Sequence, residues 1–340
     1  MINQVYRLVA PGMIDVACTS PDIKNSVILR PLYMSICKAD ERYYLGNRSK
    51  AALKAKLPMA LIHECVAEVI SDPTGHFKPG DRVIPVPNTP TEDDDVIAEN
   101  YRTTSHFRSS GYDGFLSDYV DISYDRLVKL PDGIDLKVAS FTELISVATH
   151  AVSRFDMFSH SRKNSIGIWG DGNVGYITAL ILKAIHPESK LYIFGTVYEK
   201  LSYFAFADGT FHVDHVPEDF RIDHAFECVG GEASRSAVSQ IIDHINPMGS
   251  IGLMGVSENP IAVNTRMVLE KGLNLFGSSR SGVKDFEKTV EILSKNPTIP
   301  AYLENIIGDV VTVRTIDDIH KAFKGDISRN FGKTVMKWEK

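Results

Sequence analysis

Short apolar runs with strand spacing fill the first part of the chain, at 27–33, 61–70 and 82–85, each bounded by proline, glycine or aspartate. Turn residues follow at Asp72-Pro73-Thr74-Gly75 and Pro131-Asp132-Gly133. Runs at 115–120 and 126–129 predict two further short strands, and 136–155 is spaced as a helix. Beyond Asn164 the pattern changes to alternating strand and helix. Strands are predicted at 165–169, 190–194, 211–213, 223–228, 249–256 and 274–278, with helices between them. Alternation of this kind predicts a parallel sheet with right-handed crossovers. An amphipathic helix at 284–294 leaves this region, and strands at 310–313 and 332–338 are expected to pack back on the first part. The expected architecture is α/β in two domains: a mostly-β domain of residues 1–150 and 285–340, and a doubly wound parallel-sheet (Rossmann) domain of residues 151–284.

The first strand–helix junction carries chemistry. Gly170, Gly172 and Gly175 stand in G-x-G-x-x-G order between an apolar strand and a helix loaded on one face by Ile177, Leu180, Ile181 and Ala184. The first glycine permits a tight turn, the second lets backbone approach a pyrophosphate, and the third lets the helix pack close to the strand. The helix N-terminus, starting with Asn173 and Val174, then presents free N–H groups to the anion. A binder of NAD usually carries an acid about 20 residues on, at the end of the second strand, for the ribose hydroxyl. Here that place reads Phe194-Gly195-Thr196, with Lys200 beyond. A missing carboxylate and a nearby lysine favour the 2′-phosphate of NADP(H), with Thr196 and Lys200 as its expected contacts.

Composition removes other classes. Apolar residues make up 44% and charged residues 24%, as in globular proteins, and the net charge of −6 argues against nucleic acid or an anionic membrane as partner. No apolar run approaches membrane-spanning length. The four cysteines, Cys18, Cys37, Cys65 and Cys228, lie far apart without C-x-x-C pairs, which fits a reducing cytoplasm rather than a disulfide framework.

Upstream stand three candidates for metal ligation: Cys37 in Cys37-Lys38-Ala39-Asp40, the pair His63-Glu64 inside an apolar run, and Glu143 near the start of a helix. Singly, each reads more readily as a core or surface residue. Together, with the Lys78-Pro79-Gly80-Asp81-Arg82-Val83 turn and the order of the domains, they resemble the zinc-dependent medium-chain dehydrogenase/reductase family. The resemblance implies a GroES-like catalytic domain and one catalytic zinc held by Cys37, His63 and Glu143. Glu64 is implied as a nearby or alternative ligand, and Asp40 as acceptor for the His63 ring. Neighbours in a regular strand face opposite ways, so His63 and Glu64 reach one metal only through a local bend. By family position, Cys228, Val229 and Gly255 lie beside the nicotinamide, Ser278 and Arg280 close the cofactor cleft, and a homodimer or homotetramer is expected.

The chain departs from that family at three points. Glycines that usually flank the His-Glu pair are Ile62 and Ala67, and the hydroxyl residue two after the cysteine is Ala39. That leaves water, Glu143 or Tyr43 as the proton route. No cysteine lies between Cys65 and Cys228, so a four-cysteine structural zinc is not expected. In its place is a polar stretch, 88–111, containing Arg102 and Arg108; with Lys38 and Arg42 these are the candidates for a substrate phosphate. Blocks such as Phe107-Arg108-Ser109-Ser110-Gly111 and Gly167-Ile168-Trp169-Gly170-Asp171-Gly172-Asn173 resemble the ketose-phosphate reductases within the family, implying a sugar-phosphate substrate. An NAD-dependent polyol dehydrogenase and a non-catalytic NADP(H) sensor are the alternatives.

Overall fold

The computed structural model describes residues 1–340 and divides them into two compact units, Met1–Ser146 with Ser281–Lys340, and Val147–Arg280. In the first unit, the strands Leu127–Lys129, Arg82–Pro85, Glu64–Ser71, Val27–Ser35, Lys333–Trp338 and Ile307–Val313 lie side by side in that order. Val120–Ile122 pairs with the other end of Val27–Ser35. The C-terminal strand Lys333–Trp338 runs antiparallel to Val27–Ser35, with Val335 opposite Ser35. A smaller sheet of Met13–Thr19, Asn3–Ala10 and Met59–Ala60 completes the unit. Tyr6, Leu29, Met34, Phe115, Phe323 and Met336 fill the core between these layers. Burying six such side chains contributes on the order of 10 kcal/mol before chain entropy is counted.

The run at 61–70 is not one strand. Met59–Ala60 belongs to one sheet and Glu64–Ser71 to another, and the chain turns between them at Ile62, whose φ is +73°. A β-branched residue is rare in that region, at a cost of about 1–3 kcal/mol. Complete burial of the Ile62 side chain offsets a similar amount. The run at 115–120 also differs: backbone turns there, and the strand begins only at Val120. Gly114 explains the turn, because a Cβ there would lie 2.3 Å from the carbonyl oxygens of Leu61 and Ile62. The predicted helix at 136–155 is two, Leu136–Ala139 and Thr142–Phe158.

The second unit is a six-stranded parallel sheet ordered Gly209–His212, Lys190–Gly195, Ser165–Trp169, His224–Glu227, Ser250–Leu253 and Asn274–Gly277. Numbered along the chain this order is 3-2-1-4-5-6, the doubly wound arrangement, in which ligands bind beyond the carboxyl ends of the strands where the order reverses. The strands at the switch point are Ser165–Trp169 and His224–Glu227, paired directly. Trp169 and Phe194 stack at 3.7 Å in the core beneath that edge. No helix in either unit is long and apolar enough to cross a membrane.

Candidate active site

Cys37 ends the turn after Val27–Ser35 and caps the helix Lys38–Tyr44. His63 follows the bend at Ile62, so its side chain and that of Glu64 are released from strand alternation and converge. The ligand atoms of Cys37, His63 and Glu64 all lie within 4.8 Å of one another. Glu143, in the first turn of the helix Thr142–Phe158, brings Oε2 to 3.9 Å from Nε2 of His63. All four residues belong to the first unit, and His63, Glu64 and Glu143 are buried.

Asp40 ties this group together from beneath. Its Oδ1 accepts from Ile62 N at 3.0 Å and from Ser109 Oγ at 2.5 Å. Its Oδ2 accepts from Cys37 N at 3.3 Å and stands 3.5 Å from His63 Nδ1. Burial opposes the Asp40 charge, but His63 and these donors outweigh it and hold the carboxyl below its ordinary range. Burial pushes the Glu143 carboxyl up to about 7, against the pull of His63.

Lys333, the first residue of the last strand, is 3% exposed and places Nζ 3.0 Å from Glu64 Oε2 and 3.0 Å from Ile36 O. Burial disfavours its charge, yet Glu64 and Cys37 outweigh burial and keep the ammonium charged above its ordinary range. Sequence reading missed this residue. Its only signal was a lysine opening the last strand. Ser109 and Phe107 also belong to the site. Phe107 lies with its ring 5.5 Å from that of His63, and Ser109, at φ +61°, closes on Asp40. The stretch from Asn88 is therefore built into the site: Asn88–Thr89 pairs with His106–Phe107, and Asn88 Nδ2 donates to Glu99 O.

The expected phosphate contacts divide. Lys38 is exposed and pairs with Glu41 at 2.6 Å, and Arg42 lies half-buried in the last turn of the same helix. Arg102 and Arg108 require correction. Arg102 directs all three donor nitrogens to the carbonyls of Glu92, Asp94 and Ile97. Arg108 donates to Asp113 O and Asp121 O beneath the Phe115 ring. Both guanidinium groups satisfy backbone carbonyls, those of Arg102 within a polar stretch that holds only two-residue strands and one short helical turn.

A thiol, an imidazole and the Glu64 carboxylate within 4.8 Å of one another, with Glu143 3.9 Å from the imidazole, suit a tetrahedral divalent zinc, whose ligands are these same types. Asp40 beside His63 Nδ1 and Lys333 beside Glu64 Oε2 are outer contacts of the kind that orient such ligands.

In the second unit a cavity of about 450 Å³ opens at the switch point, lined by Gly170, Asp171, Gly172, Thr196, Lys200, Cys228 and Val229 among others. Gly170 has φ +129°, and a Cβ on Gly175 would stand 2.0 Å from Gly170 O, so neither position accepts a side chain. Around Gly172, at the start of the helix Asn173–Ile185, a Cβ would meet nothing within 4 Å: this is open backbone at a helix N-terminus, suited to a pyrophosphate. Asn173 and Val174 form its first turn. Buried Glu227 shapes the neighbouring edge by accepting from Val229 N, Gly230 N, Ser234 Oγ and Gly255 N. Ser278 follows the last strand, bonded to Leu253 O, and Arg280 adopts φ +57°. One feature was hidden in the sequence. Gly195 leaves the end of its strand bare, but the carboxylate of Asp171 reaches across and accepts from Thr196 N and Val197 N at 2.8 and 3.0 Å.

A GroES-like unit carrying a Cys-His-Glu cluster, in one chain with a Rossmann unit, defines a zinc-type medium-chain dehydrogenase. The alcohol dehydrogenase GroES-like domain model matches residues 23–132. Ribulose-5-phosphate reductase 2 of Staphylococcus aureus is 56% identical over 99% of both chains, and ribulose-5-phosphate reductase of Bacillus spizizenii 52% identical over the whole of both. The crystal structure of S. aureus TarJ in complex with NADPH superposes with a TM-score of 0.90 at 50% identity, covering each chain completely. The chain belongs to the ribulose-5-phosphate reductases of this dehydrogenase class.

Proposed function

We propose that this chain reduces the ketone of D-ribulose 5-phosphate to D-ribitol 5-phosphate with NADPH, using one zinc held by Cys37, His63 and Glu143, with Glu64 as an alternative ligand. What carries the reading is the Cys37–His63–Glu64–Glu143 cluster in a chain 56% identical, over nearly its full length, to a ribulose-5-phosphate reductase. Zinc, when bound there, supplies Lewis-acid polarisation of the ketone oxygen, and NADPH supplies the hydride.

The chain's own residues orient the groups. Asp40 fixes the His63 ring and the Cys37 backbone together, while the Phe107 ring lies tilted against that of His63. Lys333 pairs with Glu64 and anchors it beside the cluster. Gly170, Gly172 and Gly175, with Asn173 and Val174, receive the pyrophosphate, and Thr196 and Lys200 the 2′-phosphate. Cys228, Val229, Gly255, Ser278 and Arg280 belong to the nicotinamide end. Lys38 and Arg42 are the remaining candidates for the sugar phosphate. The product is substrate for a ribitol-5-phosphate cytidylyltransferase, the expected pathway partner, making CDP-ribitol for wall teichoic acid or capsule. A cytoplasmic homo-oligomer, dimer or tetramer, with no structural zinc completes the reading.

Initial rates with ribulose 5-phosphate and NADPH, set against ribitol or sorbitol with NAD, test it. The sugar-phosphate reaction is expected to be faster by orders of magnitude, and faster polyol oxidation would contradict it.

A further inference from the structure

We propose that Asp171 sets the coenzyme balance of this chain by delivering, from the glycine turn, the carboxylate that the end of the strand Lys190–Gly195 lacks. The proposal rests on the reading of NADPH as coenzyme. Three observations carry it. Asp171 Oδ2 lies 2.8 Å from Thr196 N and 3.0 Å from Val197 N, at the strand end where NAD binders place their acid. A Cβ on Gly195 would stand 2.6 Å from both Cβ and Oδ2 of Asp171, so the bare glycine is what makes room for this carboxylate. Asp171, Thr196 and Lys200 line the same cavity.

The consequence is a contest of charges. A carboxylate in this place accepts a ribose 2′-hydroxyl but repels a 2′-phosphate, and it also occupies two N–H donors that an anion would otherwise use. Lys200 on the same wall attracts the phosphate. Selectivity for NADPH is then the difference between an attractive lysine and a repulsive aspartate, and the site binds NADPH less tightly than its other residues permit.

The test is equilibrium binding of NADPH and NADH to the zinc-loaded full chain, followed by nicotinamide fluorescence with no sugar present. Loss of ketose reduction would count against the proposed function and leave this ratio readable. Asp171→Asn removes the charge and keeps an acceptor oxygen for the turn. It is expected to tighten NADPH by about three- to tenfold, the size of one exposed charge contact, while leaving NADH unchanged or weaker. Gly195→Ala displaces the same carboxylate without removing it, and must move the NADPH:NADH ratio in the same direction even if one variant folds poorly. Lys200→Met is expected to weaken NADPH about tenfold and spare NADH. Weaker NADPH binding in Asp171→Asn, or equal change for both coenzymes, would overturn the proposal and reduce Asp171 to a staple of the turn.

Discussion

Asp40 is a fully buried carboxylate with a donor on every side: two backbone amides, the Ser109 hydroxyl and the His63 ring. Removing it strands those donors, whereas removing Ser109 costs one charge-assisted bond. Ser109→Ala is therefore expected to lower stability by about 1–3 kcal/mol. It should also weaken zinc by about 10- to 100-fold, the usual effect of losing an outer contact. Competition with a chelator of known affinity measures the latter, and unchanged zinc affinity would separate Ser109 from the metal site. Lys333 and Glu64 form a pair that neither partner survives alone. Lys333→Met should cost about 3–5 kcal/mol by leaving Glu64 buried and uncompensated. Adding Glu64→Gln should restore part of that loss, and additive losses in urea denaturation would contradict the coupling. Neither Lys333 nor Ser109 was legible as a site residue. Each lies far along the chain from the ligand it supports, and no local pattern marks a contact made by folding.

Elements that depend on local pattern were the legible ones. The parallel sheet, the glycine turn and the helix Val283–Lys295 follow from alternation and spacing. The helix Ile316–Ile327 went unread although Thr315 and Asp318 announce it with a capping box. The short helices Lys38–Tyr44 and Lys50–Lys56 lack a clear apolar face, and the opening hairpin of Asn3–Ala10 and Met13–Thr19 went unread although Pro11-Gly12, with Gly12 at φ +69°, marks its turn. At 61–70 the conflict was visible: His63 and Glu64 side by side break the alternation that a strand requires, and the bend at Ile62 resolves it. Within the parallel sheet, His224 makes a prediction of its own. Ser250 N donates to its Nδ1, so the ring is neutral there, and burial, with His160 alongside, lowers its pKa to about 4. The folded value lies below the unfolded one, near 6.5, so the unfolded chain takes up the proton first. Stability is thus fully present above about pH 6.5 and lost as pH falls towards 4, by up to about 2 kcal/mol between pH 7 and 5. Urea midpoints followed by Trp169 emission in a Trp338→Phe background check this. The His224→Gln variant should flatten the slope, and an equal slope in both would contradict the assignment.

At the scale of the whole molecule, two units divide the work: one gathers a thiol, an imidazole and two carboxylates, the other opens a glycine-lined cavity at a sheet switch point. Chelation should therefore abolish turnover while leaving NADPH binding intact, because the coenzyme cavity contains none of the proposed metal ligands. The most direct measurement of the central claim is NADPH oxidation by ribulose 5-phosphate in metal-stripped protein titrated with zinc, for the natural chain and for Cys37→Ser. Activity is predicted to rise from near zero and saturate at one zinc per chain, with Cys37→Ser remaining inactive at that stoichiometry. Full turnover in the stripped protein, or a Cys37→Ser variant that keeps its zinc and its rate, would contradict the account.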